Sequence, residues 1–537
     1  MVALSMADGY ARLTGKPQCV IVHVDVGTQS LGAGVHNASA GRSPVLIFAG
    51  LSPYTVEGEL CGSRTEYIHW IQDVPDQKQI VAQYCRYSGE IKTGRNVKQM
   101  VHRALQFATN DPPGPVYLVG ARETMAEEIE PYWLDQSVWK TVGPAALPPQ
   151  GVESIAKQLI DAERPLLITG YSGRNHAAVP ELIALADTMK GLRVLVTDGS
   201  DLCFPFSHRA SLGMKYGVDD DIPQADFILV VDCDVPWIPT QCRPNDKCKI
   251  VHVDIDPLKN MMPVFYLPAV ERYKADATTA FKQLHTCLSR QYGNVLDSEK
   301  FDIRWMKLGE SHAKRLEVIQ SLAAPPEGGA LSSSYVCAEA RKLCPDDTIW
   351  TVEAVTETIF VADQIQAEAP GSWINQGGGG LGWSGGASLG IKLASDAGAG
   401  GPGKGKFVCQ IVGDGSYLFS FPGSVYWIAQ RYNIPTLTVV LNNKGWNAPR
   451  RSLLLVHADG EGSRSTNEEL NLSFEPSPDY AGIAKAASGG KMWAGRATSV
   501  DEFSELLPEA IKSVKEGTGA VLEVRLKDKD TVPKQKS

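Results

Sequence analysis

The chain has 537 residues, 43% of them hydrophobic, and a formal charge of -9. That apolar content exceeds one core, so two to four domains are expected, and the acidic balance speaks against a nucleic-acid partner. No apolar run reaches the ~18 residues of a membrane span, and the eleven scattered cysteines form no CxxC pair and no Cys/His metal spacing, which points to a reduced, cytoplasmic setting.

The first residues read as the inside of a packed helix rather than a signal or transit peptide. Ala3, Leu4, Ala7 and Ala11 recur at helical spacing, with no capping residue before them. Apolar, β-branched runs follow at 19–24 and 45–49. A Pro/Gly-rich stretch at 143–151 then precedes runs at 166–169, 193–196, 227–231 and 250–254. A second such stretch at 323–330 precedes runs at 407–412 and 436–441. Continuous apolar strands, each followed by a Gly- or Asp-containing turn and a helix, predict parallel sheets covered on both faces. The fold class is therefore α/β, with three doubly wound parallel-sheet domains at 1–142, 152–322 and 331–527. Residues 397–406 read as a surface loop. The polar stretch 458–469 reads either as a solvated insertion or as a lid over a site at the strand ends.

The sharpest chemical signal is Val412-Gly413-Asp414-Gly415-Ser416, followed about 25 residues on by Asn442-Asn443. A buried strand leads into each half, and ligands of open parallel sheets sit beyond the carboxyl ends of the strands. The residue types suit a metal-bridged diphosphate. Mg²⁺ takes about six oxygens, of which Asp414, the Asn443 amide and the Gly445 carbonyl can supply three. Gly413 and Gly415 let the backbone close on phosphates, and a helix starting near Ser416 would point its N–H groups at the same anion.

This pattern resembles the thiamine-diphosphate motif of the acetolactate synthase, benzaldehyde lyase and 2-oxo acid decarboxylase family, and the likeness covers essentially the whole chain. It implies a pyrimidine-binding first domain, a central domain that is structural or holds FAD, and a diphosphate-binding third domain. FAD has no support of its own in the central residues. Met6–Pro17 resembles the helix and turn that follow the family's catalytic glutamate, and Val251–Pro257 resembles a central strand. In Gln376–Gly382, Gly380 and Leu381 lie where a large apolar residue props the cofactor in its bent form. An ordinary core leucine in a flexible turn is the other reading. Gln72 matches a glutamine facing the reaction centre, or is a helix-surface amide. Gly27 lies where relatives carry Gly-Pro-Gly near the pyrimidine, although the first glycine and the proline are absent here. Asn37 matches a recurrent asparagine, or is a helix cap. Trp446, Arg450 and Arg451 shape a substrate pocket or belong to a solvated loop.

The resemblance places the family's glutamate, which promotes proton loss from the thiazolium ring, immediately before Met1. Two explanations stand. The favoured one is a chain that starts at an internal methionine. The other is a short form that is non-catalytic or regulatory. A leader for a mitochondrion or other organelle would also precede Met1. The implied enzyme is a homodimer or homotetramer with its site at the subunit interface. It would use thiamine diphosphate and Mg²⁺ to join or cleave C–C bonds of a 2-oxo acid or acyloin, as in acetolactate synthesis. The alternatives are a 2-hydroxyacyl-CoA or benzoin-type lyase and a simple decarboxylase. A nicotinamide dehydrogenase is disfavoured because no GxGxxG follows a strand with an acidic residue about 20 positions on.

Overall fold

A computed structural model describes residues 1–527. β1 (Gln18–Val22), β2 (Val45–Leu51), β3 (Tyr87–Ile91) and β4 (Val116–Ala121) form a first sheet in the order β1-β2-β4-β3. β5 (Pro165–Thr169), β6 (Arg193–Thr197), β7 (Ser211–Lys215), β8 (Phe227–Val231), β9 (Lys249–Asp254) and β10 (Glu271–Lys274) form a second, ordered β10-β9-β8-β5-β6-β7. The third, ordered β12-β11-β13-β14-β16-β15, contains β11 (Ile349–Glu353), β12 (Trp373–Asn375), β13 (Val408–Gly413), β14 (Leu437–Asn442), β15 (Trp493–Ala497) and β16 (Ala520–Arg525). Every pairing in the three sheets is parallel. Strands such as β5, β8, β11 and β14 are buried along their whole length. Both faces are covered, which is why their sequences run continuously apolar instead of alternating.

The chain divides into two compact units. The first joins Met1–Pro144 to Gln376–Ser395, and the second joins Ala145–Asn375 to the residues from Asp396 onward. A segment that the sequence assigns to the third domain therefore packs with the first, and helix contacts explain why. Helix Val2–Thr14 ends where Gly15 turns to φ 67 and its N–H bonds Ala11 O, a left-handed cap suited to glycine. Helix Trp383–Gly398 crosses it with the backbones touching. A Cβ at Gly390 would fall 1.9 Å from Met6 O, and one at Gly9 would fall 2.4 Å from Ala387 O. The fully buried Trp383 donates its indole N–H to Asp8 at 2.8 Å, and the Arg12 guanidinium lies 5.3 Å from its ring centre. The Met6–Arg12 motif is thus a helix-packing surface in which Asp8, Gly9 and Arg12 each serve Trp383 or its helix.

In the second unit one apolar core runs through both sheets, from Leu167 and Leu229 to Ile411 and Val439. Just beyond the carboxyl end of β9, the buried Lys259 ammonium bridges Asp254 at 2.6 Å and Asp234 at 2.7 Å. That pairing offsets the desolvation of three charges. Among the described residues, no helix is long and apolar enough to cross a membrane.

Candidate active site

β13 and β14 are hydrogen-bonded neighbours, and Gly413 pairs with Leu441. Their carboxyl ends therefore deliver Asp414 and Asn443 side by side. Asp414 opens a six-residue helix, Asp414–Phe419, with Gly413 as its cap. The Asp414 carboxylate is buried, accepting the Gly415 N–H at 2.8 Å and the Gly445 N–H at 3.1 Å. Burial pushes its carboxyl up to about 6, while these backbone N–H groups pull it down. One terminal atom of the Asn443 amide stands 3.1 Å from the Gly445 carbonyl oxygen and 3.3 Å from Asp414 Oδ1. As a nitrogen that atom donates to both. As an oxygen it completes a set of three oxygens facing one another.

The two asparagines divide the labour. The Asn442 amide donates to Glu523 on β16 at 2.9 Å and to Ser477 at 3.0 Å, so it fixes the strand end and leaves Asn443 to face the carboxylate. Antiparallel pairing holds the turn from outside. Gly445 bridges to Ser473, the Trp446 N–H donates to Leu472 O, and the Phe474 N–H donates to Lys444 O. Gly445 sits at φ 149, and a Cβ there would fall 2.0 Å from Leu472 O. The two motif glycines also differ. A Cβ on Gly415 would fall 2.2 Å from the Trp446 ring, so protein packing alone demands that glycine. A Cβ on Gly413 would meet only Glu353 O at 3.9 Å, which leaves its face open.

Two observations test the fit of a metal-bound diphosphate. Ser416 Oγ is buried without a hydrogen-bond partner, the state of a hydroxyl suited to an incoming acceptor. Asp414, Asn443 and Gly445 offer a charged oxygen, an amide oxygen and a carbonyl, a hard donor set matched to Mg²⁺. Among the described residues no cluster of three His, Cys, Asp or Glu side chains could hold a metal. The residues fit. Asp414, Asn443 and Gly445 would hold the cation, and Ser416 with the open face of Gly413 would receive phosphate oxygens.

Asn37, Gly380, Leu381, Gln72 and Gly27 lie in the first unit. Asn37 sits in the middle of helix Gly32–Ala40, so it is no cap. Its amide is spent on Gly380, donating to the carbonyl at 2.7 Å and accepting the N–H at 3.0 Å. It therefore positions the Gly380-Leu381 segment. The glycine run is close packing rather than a flexible turn, since a Cβ at Gly377 would meet Gly41 Cα at 2.3 Å and one at Gly380 would meet Ala33 O at 2.6 Å. Leu381 is half-buried and so is not a core leucine. Gln72 is buried directly after helix Ile68–Ile71, not on a helix surface, and its carbonyl accepts from Ser52. Gly27 lies within helix Val24–Gln29, over Val22.

Arg450 is neither free nor solvated. Its buried guanidinium donates to the carbonyls of Gly462 and Ser463 at 2.7 and 3.3 Å, latching helix Glu461–Arg464 within the polar stretch. Arg451 is exposed, and Trp446 packs edge-on against Phe419 and Phe474. Sequence reasoning missed Glu523 and Ser477. Glu523 left one trace, a carboxylate inside the apolar run Val521-Leu522-Glu523-Val524.

Comparison with known proteins agrees with this geometry. Residues 1–80 match the N-terminal TPP binding domain of thiamine pyrophosphate enzymes, 152–264 the central domain, and 355–524 the C-terminal TPP binding domain. A probable acetolactate synthase large subunit of Methanocaldococcus jannaschii is 25% identical over 95% of this chain and 82% of its own length. A benzoylformate decarboxylase of Pseudomonas aeruginosa is 24% identical over 83% and 78%. The fold superposes on a thiamine diphosphate-dependent 4-hydroxybenzoylformate decarboxylase of Rhodococcus jostii with TM-score 0.76 at 21% identity, covering 98% of this chain and 90% of that one. The chain belongs to the thiamine pyrophosphate enzyme family, and within it to the acetolactate synthase and decarboxylase type. When bound, the cofactor supplies a carbon nucleophile for a carbonyl group, while the protein binds and orients it.

Proposed function

We propose that the protein binds thiamine diphosphate through Mg²⁺ and acts on the C–C bond of a 2-oxo acid, with acetolactate synthase-like carboligation as its reaction. The observation that carries the reading is the convergence of Asp414, Asn443 and the Gly445 carbonyl at two adjacent strand ends, beside the orphan Ser416 hydroxyl. Decarboxylation of the 2-oxo acid is common to this reaction and to the simple decarboxylases. The two part at the next step, where a second carbonyl or a proton is taken up.

The test is to titrate thiamine diphosphate with and without Mg²⁺, then follow consumption of pyruvate and of benzoylformate and identify the products. Mg²⁺-dependent binding with 2-acetolactate from pyruvate supports the full reading. An aldehyde as sole product moves it to simple decarboxylation. Absence of cofactor binding sinks it.

The assembly we propose is a homodimer at least. Tyr67, Trp70 and Ile71 on the first unit, and Phe419, Phe421, Trp427 and Tyr432 on the second, are large apolar side chains left at least half exposed. Exposed apolar side chains of this size are ones that a second copy would cover.

A further inference from the structure

One tie in the first unit serves neither the metal loop nor the helix crossing. In helix Gly32–Ala40 the residue before Asn37 is His36, half-buried and edge-on to the Tyr84 ring with ring centres 5.8 Å apart. Its Nε2 accepts the Gly379 N–H at 3.0 Å. His36 and Asn37 thus grip consecutive residues of the glycine run, Asn37 by both backbone groups of Gly380.

The two grips differ in what stands behind them. Gly377 and Gly380 are wedged against backbone, as described above. Gly379 is exposed, and among the described residues the one atom within 4 Å of a Cβ there would be His36 Nε2 itself, at 3.9 Å. Packing therefore does not hold Gly379, and glycine backbone is the freest to move. The imidazole bond is what fixes this part of the run, two residues before Leu381.

The bond also fixes the state of the imidazole. A ring nitrogen that accepts carries no proton, so His36 is neutral with its proton on Nδ1. When the ring gains a second proton, Nε2 becomes a donor facing a donor and the bond is lost. The helix that bears His36 reads Gly-Ala-Gly-Val-His-Asn-Ala-Ser-Ala and brings no charge. The glycine run brings only backbone, and Tyr84 brings a phenol.

We propose that His36 is a positioning residue for the cofactor: the neutral ring sets Gly379, and with it Leu381, in the binding conformation, and the protonated ring releases them. The assignment rests on the reading of Gly380 and Leu381 as the cofactor's prop.

The test titrates thiamine diphosphate calorimetrically at saturating Mg²⁺ into the full chain, H36Q and H36A, at steps from about pH 8 to about pH 5.5, the range in which histidine gains its charge. Glutamine offers an amide oxygen at about the reach of Nε2 and does not titrate, while alanine offers no acceptor. At the top of that range the Kd of H36Q should match that of the unsubstituted protein. That of H36A should be raised roughly 2- to 10-fold, the worth of one net hydrogen bond. As pH falls, the unsubstituted protein should weaken toward H36A while H36Q holds, so the ratio of their Kd values climbs by the same factor. Taking the ratio cancels the titration of Asp414, which both chains share. A ratio that stays flat with pH overturns the proposal. So does an H36Q variant as weak as H36A at the top of the range, because the shape of the ring and not its acceptor would then matter. If H36A does not fold, the ratio of the other two chains still decides. If the unsubstituted chain binds no cofactor at any pH, the cofactor reading fails first and this one falls with it; binding with a flat ratio overturns this one alone.

Discussion

Asp414 is where burial and charge conflict most directly. With its carboxyl held near 6 instead of 3.8, the folded protein binds this proton more tightly than the unfolded chain does. Its contribution to stability is therefore present below about pH 4 and lost as pH rises through about 6. The metal has the opposite demand, since it binds the ionised form. Two outcomes are expected. Mg²⁺ affinity is flat above about pH 7 and weakens toward 10-fold per pH unit below about 6, as a calorimetric series over pH would show. The metal-free protein loses stability between about pH 4 and 6 by an amount on the order of 1–3 kcal/mol, and Asp414→Asn removes that slope together with the Mg²⁺ response. A slope that persists in the variant would place the titration elsewhere. Gly415 gives a second test at this scale. Alanine there collides with the Trp446 ring, so the substitution should cost about 1–3 kcal/mol in chemical denaturation even without cofactor.

At the scale of elements, what was legible in the sequence is what local chemistry decides. Strand β13 and its Gly-Asp-Gly turn could be read because a continuous apolar run ending in that turn has few other solutions, and the oxygen donors follow from residue type. The roles of Asn37 and Gly380 could not be read, because they depend on a pairing between positions 343 apart in the chain. No local pattern encodes a contact at that separation. The Met6–Arg12 helix was recognised by likeness, but its physical reason, Trp383 and the glycines of the crossing helix, is again long-range. Arg450 looked solvated because a loop arginine usually is; only the fold reveals that the carbonyls of Gly462 and Ser463 meet its guanidinium. The helix crossing makes a sharp prediction. Gly390→Ala would drive a methyl group to 1.9 Å from Met6 O, where backbone has to move. A loss of about 1–3 kcal/mol or more is expected in thermal or denaturant unfolding. Gly398→Ala, near the end of the same helix and with nothing within 4 Å of a Cβ, should be neutral or stabilising.

Over the whole molecule, the unresolved balance is in exposed apolar surface. Tyr67 is 81% exposed, Tyr432 62% and Phe421 59%, and Phe421 holds a left-handed backbone at φ 56 that an aromatic residue adopts only when its surroundings require it. The -9 charge keeps such a protein dispersed but does not cover those rings. Sedimentation at micromolar concentration should therefore give a dimer or larger closed assembly. Trp70→Glu, which buries a charge if the surface is covered and none if it is not, separates the cases. If the surface is an interface, the variant sediments as a smaller species and thiamine diphosphate raises its melting temperature less than that of the unsubstituted protein, because ligand and partner both bind only the folded assembly. If the surface is open to water, the variant sediments and responds to cofactor unchanged, and those aromatic side chains must serve a different partner.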